Sequence, residues 1–171
     1  FSAGEVLTAA DMNAVSGWLV STTTVGTGVS SIPVANCFST NYHNYRIVWN
    51  GITSSVGANL LMQLTSITGS NYQTGGYFTT YGSAVLTGFG PAATTTWTIG
   101  AISTTNGFGA IDVYSPFLTT TKAFTGVGTS TTVQYTFNGN CSSTTSSTGF
   151  TLTPSAGTLT GGTIRVYGYR N

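Results

Sequence analysis

The sequence predicts an all-β fold: an antiparallel, jelly-roll-like β-sandwich preceded by a short N-terminal helical arm. Three observations lead there. First, the run from Tyr45 to Ile52 alternates, with Tyr45, Ile47 and Trp49 on one face and Arg46, Val48 and Asn50 on the other. A period of two is the β signature, and aromatic and β-branched residues suit a pleated, half-buried surface. Second, about eight or nine such runs follow one another, separated by turn residues at regular spacing. Third, the first twenty residues carry helix-start chemistry instead. At 171 residues the chain suits one core-forming domain, so we divide it into an arm, 1–20, and a sandwich, 21–171.

The arm comes first. Thr8 and Asp11 have capping-box spacing, with Asp in place of the preferred Glu or Gln, and Leu7 and Met12 have the spacing of a hydrophobic staple. Ala9 and Ala10 favour helix, and Asp11 suits the positive end of the helix dipole. Met12, Val15 and Leu19 then line one face, with Trp18 beside them. The pattern predicts about three helical turns from Ala9 to about Leu19. A lone helix this short is marginal in water, so it docks on its own domain, on a sister subunit or on another protein.

Ser21 to Gly28 is either a linker or a first edge strand, and Val29 to Val34 is a short strand ended near Pro33. The Tyr45 to Ile52 strand is central, and Trp49 is the natural centre of the core. Asn59 to Thr68 follows after a short turn, which predicts an antiparallel hairpin between these two strands. Gly69 to Gly82 reads as irregular, with Tyr72, Tyr77, Phe78 and Tyr81 set among Gly, Ser, Asn and Thr. Ala84 to Leu86 is a short strand. Thr95 to Ile102 alternates, with Trp97 and Ile99 on one face, and Phe108 to Tyr114 is a strand stopped by Pro116. Thr121 to Val127 and Thr132 to Asn138 form a second hairpin. Phe150 to Leu152 is short. Thr163 to Tyr169 closes the chain, with Ile164, Val166 and Tyr169 assigned to the inward face.

Composition narrows the function classes. Only 4% of residues are charged and 40% are hydrophobic, against roughly 25% charged in ordinary soluble domains. Neutral Thr- and Ser-rich faces are easily dehydrated and suit permanent contact with neighbours in an assembly, ahead of a hydroxyl-rich extracellular domain. The net charge of +1 gives no basic footprint for nucleic acid. No apolar run approaches the roughly 18 residues of a membrane helix, and no basic segment followed by an apolar one marks a signal peptide. Cys37 and Cys141 could close a long loop as a disulfide, with a gain of roughly 4 kcal/mol in the chain-entropy model. Two buried free thiols are the favoured reading, as in a particle assembled in a reducing compartment.

Catalytic chemistry is poorly supplied. Beyond the arm there is one carboxylate, Asp112, and one histidine, His43. That is too few for a carboxylate pair or a metal site, and no serine sits in a Gly-x-Ser-x-Gly elbow. Asp112, mid-strand between Ile111 and Val113, reads as the ion-pair partner of Arg46 or Arg165. We therefore expect no enzyme activity and no cofactor. The better candidates are Tyr72, Tyr77 and Tyr81, which can stack on a sugar or pack on a neighbouring subunit.

Three stretches resemble a known group. The segment Phe1 to Asn13, with its Gly4, Leu7-Thr8-Ala9-Ala10 and Asn13, is similar to the N-terminus of many bacteriophage tail-fibre and minor structural proteins. The run Phe38-Ser39-Thr40 with Tyr42 and Tyr45-Arg46-Ile47-Val48 resembles the start of β-sandwich domains in phage fibre-like and head-decorating proteins. The stretch Gly162 to Tyr169 fits their usual last strand. The resemblance implies a non-catalytic virion protein, a homo-oligomer and specifically a trimer, with Leu7, Thr8, Asp11, Met12, Val15, Trp18 and Leu19 anchoring it to other virion proteins. An outward sandwich would then meet a host surface glycan. The chain is short and has no repetitive shaft, which favours a compact knob or a capsid decoration protein over a long fibre. A secreted carbohydrate-binding module is the reading from another class.

Overall fold

The computed structural model of the chain describes residues 17–90 and 93–169. All regular structure among these residues is β. In chain order the strands are β1 (Trp18–Thr24), β2 (Ile32–Val34), β3 (Asn44–Ser54), β4 (Ala58–Leu64), β5 (Tyr72–Thr80), β6 (Leu86–Phe89), β7 (Trp97–Ile102), β8 (Gly107–Tyr114), β9 (Lys122–Ser130), β10 (Val133–Cys141), β11 (Phe150–Pro154), β12 (Leu159–Thr160) and β13 (Thr163–Tyr169). Every pairing between them is antiparallel. The larger sheet runs β1-β13-β3-β8-β9-β10-β5-β6, with β12 added to the end of β3. The smaller runs β2-β11-β4-β7. Their inner faces meet, with β7 packing over β3, β5, β8, β9 and β10.

β3 lies between β13 and β8, as its alternation predicts. Tyr45, Ile47 and Trp49 are buried, while Arg46 and Asn50 are exposed. The Trp49 indole crosses the inner surface of β8 and β9 where both carry glycine. A Cβ on Gly109 would stand 2.0 Å from Cζ2 of Trp49, and one on Gly128 would stand 3.4 Å from the same atom. On the facing sheet, a Cβ on Gly100 would stand 3.3 Å from it. The glycines on both sheets therefore make room for this one side chain. Its Nε1 has no hydrogen-bond partner among the described residues, and burying such a group costs roughly 1–3 kcal/mol.

The hairpin expected between β3 and the next strand does not form. Gly51 adopts φ 71°, a conformation that glycine reaches without strain. The register with β8 shifts between Asn50 and Ile52. The extra residue reverses the phase of alternation, so Ile52 and Ser54 become the buried positions. The end of β3 then pairs with β12, and the turn after Ser54 delivers β4 into the other sheet.

Three further expectations change. The helix expected to reach Leu19 does not include Trp18 or Leu19, which are strand residues paired with Gly168 and Tyr167 of β13. Ser21 to Thr24 carries three threonines whose branched Cβ atoms favour extended backbone, and the pairing draws Trp18 to Val20 into the sheet. The rest of the expected helix, with Leu7, Thr8, Asp11, Met12 and Val15, lies outside the described residues. The region from Gly69 to Gly82 contains a regular nine-residue strand, β5, between β10 and β6. Finally, Tyr169 points away from the core, and Ile164, Val166 and Gly168 fill the inward positions of β13. The β9–β10 hairpin forms as expected, with a tighter turn.

Replacing Trp49 with alanine should cost roughly 3–5 kcal/mol, as expected for a large aromatic removed from a core. Replacing Gly109 with alanine should cost roughly 1–3 kcal/mol by overpacking against the indole. Urea denaturation at neutral pH measures both losses.

Candidate functional site

The antiparallel register gives the larger sheet two poles. Trp18, Tyr169, Asn44, Tyr114, Ala123, Asn140 and Gln73 lie at one end of their strands; we call this the entry pole, because the chain enters the sheet there at Trp18. Thr24, Thr163, Asn50, Phe108, Thr129, Gln134 and Thr79 lie at the other end, the far pole.

On the outer face, toward the far pole, the side chains opposite the core form continuous rows. One row is Asn50, Phe108, Thr129, Gln134, Thr79 and Leu86. The next is Val48, Ala110, Val127, Thr136 and Tyr77. Phe108, Val127, Tyr77, Tyr81 and Leu86 are each between 38% and 60% exposed, so large apolar side chains cluster on one surface. Between Phe108, Val127 and Tyr81 lies an open groove of about 410 Å³. Ala110 and the backbone at Gly109 and Gly128 form its floor, and Gln134, Thr129 and Thr136 line its polar side. The Tyr81 hydroxyl is hydrogen-bonded to that of Thr129, which holds the ring at the rim. Among the described residues, the Gln134 amide and the Thr136 hydroxyl have no protein partner. No carboxylate, ammonium, guanidinium or imidazole lines the groove.

Of the three tyrosines singled out from sequence, the structure brings Tyr77 and Tyr81 to this face and takes Tyr72 away from it. Tyr72 is fully buried. Its hydroxyl donates to the Ile67 carbonyl at 2.8 Å and accepts the Leu64 N–H at 3.0 Å, and its ring meets Trp97 edge-on at 5.3 Å. Inside β5, residue 72 has inward parity and residue 77 outward parity. Glycines in the strand hid this alternation from the sequence reading. Phe108, Val127 and Gln134 were missed altogether. Phe108 has the same parity as Asp112 in β8, so the presence of a charged residue on that face was a usable signal.

The ionisable groups are dispersed. Asp112 accepts from the Tyr169 hydroxyl at 2.8 Å and from Arg46 at 3.4 Å. The Arg46–Asp112 pair is partly exposed, and such pairs contribute roughly 0–1 kcal/mol. His43 is exposed at the entry pole. Lys122 is buried on β9 and donates to the carbonyls of Thr120 at 2.6 Å and Ser143 at 3.0 Å. Burial lowers its pKa. Cys141 stands opposite it in the ladder. Cys37 and Cys141 are both buried free thiols. No group of three or more His, Cys, Asp or Glu is placed to hold a metal among the described residues. Chemically, the groove can stack against a ligand and hydrogen-bond it.

No protein-family model, curated protein or solved structure matches this chain.

Burial pushes the Cys37 thiol from its ordinary 9.0 up to about 12. The unfolded thiol releases its proton from about pH 9, while the folded one holds it, so stability falls as pH rises between 9 and about 12. Tyr45, Tyr72, Tyr135 and Tyr169, all raised by burial, act in the same direction above pH 10, and Lys122 opposes them. A Cys37→Ala variant should lose stability less steeply than the parent between pH 9 and 11, by a difference of up to roughly 3 kcal/mol. Urea melts across that range read the slope.

Proposed function

We propose that this chain is a non-catalytic structural protein of a bacteriophage virion, tail-fibre-like, whose two sheets form a jelly-roll-like β-sandwich fixed to the particle through its N-terminal arm. The observation that carries this reading is the polarity of the larger sheet. The chain enters at Trp18 on the entry pole, and the aromatic groove between Phe108 and Tyr81 opens toward the far pole. A strand rises about 3.3 Å per residue, so the seven residues of β1 from Trp18 to Thr24 separate entry from contact end by roughly 20 Å. A module held by its arm therefore presents the groove outward. Trp18 and Leu19, about half exposed on the edge strand β1, lie beside that attachment. In this reading Leu7, Thr8, Asp11, Met12 and Val15 dock onto other virion proteins, and the chain assembles as a homotrimer.

The resemblance of Phe1 to Asn13 and of Phe38 to Val48 to phage proteins supports the assignment. So does a chain in which only 4% of residues are charged, which suits lasting contact within an assembly. The target of the far pole is a host surface glycan. A capsid decoration protein is the second reading. The breadth of uncharged outer face from Val48 to Leu86 favours it, because such a face can lie flat against neighbouring shell subunits.

Particles should carry the protein, and labelled antibody should place it at the tail in a few to tens of copies. Hundreds of copies over the shell would select the decoration reading, and purified particles without the protein would overturn both. Deleting residues 1–16 should abolish incorporation and leave the circular dichroism spectrum of the β-rich body intact.

A further inference from the structure

We propose that the outer-face groove between β8, β9 and β10 is a binding site for an uncharged sugar, with Phe108 and Tyr81 as stacking walls and Gln134 and Thr136 as the groups that read its hydroxyls. The inference rests on the far pole being the contact end proposed above, and it specifies the ligand class and the residues.

The groove suits this occupant by size, polarity and charge. About 410 Å³ lies toward the lower end of the roughly 300–1,000 Å³ usual for small-ligand sites. A pyranose ring has an apolar C–H face and a rim of hydroxyls. The groove has the complementary arrangement. Phe108, Val127 and Ala110 supply apolar contact, and the Gln134 amide and Thr136 hydroxyl stand beside them without protein partners. Gln134 offers both donor and acceptor atoms, and the threonine hydroxyl can serve as either.

An apolar partner surface laid over this groove would strip water from Gln134 and Thr136 and return no hydrogen bonds, a cost of roughly 1–3 kcal/mol for each group left unpaired. A sugar supplies a hydroxyl for each. No cation lines the groove itself, so its lining offers an anionic sugar no charge contact that a neutral one lacks. The Tyr81–Thr129 hydrogen bond fixes one stacking ring before binding, so less side-chain freedom is lost when the ligand arrives.

Full-length protein is titrated with neutral gluco-, galacto- and manno-oligosaccharides and with sialylated counterparts, read by saturation-transfer NMR and calorimetry. At least one neutral series should bind, and sialylation should not tighten it. Phe108→Ala and Gln134→Ala should each weaken binding by about tenfold, whereas Arg46→Ala, on the same face outside the groove, should not. Binding indifferent to both groove variants, or no binding of any neutral saccharide by folded protein, overturns the site. Light scattering of Phe108→Lys supplies the rival outcome: an oligomer that falls to monomer, with no sugar bound by the parent, makes this face a contact between copies. Protein found on particles but blind to sugars removes the groove assignment alone. Sugar binding by a protein that particles lack removes the virion reading alone.

Discussion

The Trp49 indole is buried between two sheets, and much of the architecture follows from making room for it. The ring extends from β3 across β8 and β9, and a side chain at Gly109 would collide with it. Gly128 and Gly100 complete the opening, one on the same sheet and one on the facing sheet. Protein interiors are packed as densely as organic crystals, so a bulky ring can be central only where its neighbours are small. Trp49 thereby touches both layers and fixes their separation at the centre.

The bulge at Gly51 is the second consequence of the same strand. Without it, the alternation that buries Trp49 would place Ile52 on the solvent face. The extra residue puts Ile52 and Ser54 inward and bends the chain so that β4 continues in the other sheet. One strand thus serves as the centre of one layer and the route into the next. Ladder pairing links β13, β3, β8, β9 and β10 side by side, and the rows of side chains on their outer face inherit the registration set by the core.

The proposed binding groove lies on that outer face. The face carries few charges, and Asp112 accepts from both Arg46 and the Tyr169 hydroxyl near the entry pole. Lys122, buried, ties the loop around Ser143 to the start of β9 through backbone carbonyls. Arg46, Asp112 and Lys122 therefore hold structure in place, while aromatic and amide side chains meet solvent toward the far pole. Contact by stacking and neutral hydrogen bonding follows from this division.

Much of this was legible in the amino acids alone. Alternation identified the strands β3, β7, β8 and β13, and the inward residues Tyr45, Ile47 and Trp49 of β3 and Ile164 and Val166 of β13, because side-chain parity is a property of each strand by itself. The burial of Trp49 was read in the same way; the free state of Cys37 and Cys141 was the favoured reading on other grounds, and the structure chose Arg46 over Arg165 as the partner of Asp112. Apart from the β9–β10 hairpin, the partners of the strands could not be read, because pairing joins residues far apart in the chain. Hence β4 left its expected hairpin, Tyr72 turned inward and Trp18 joined a sheet edge. Phe108, Val127, Gln134 and Tyr81 also met in one groove for that reason: they come from four separate segments, and only the long-range register of the ladder brings them side by side.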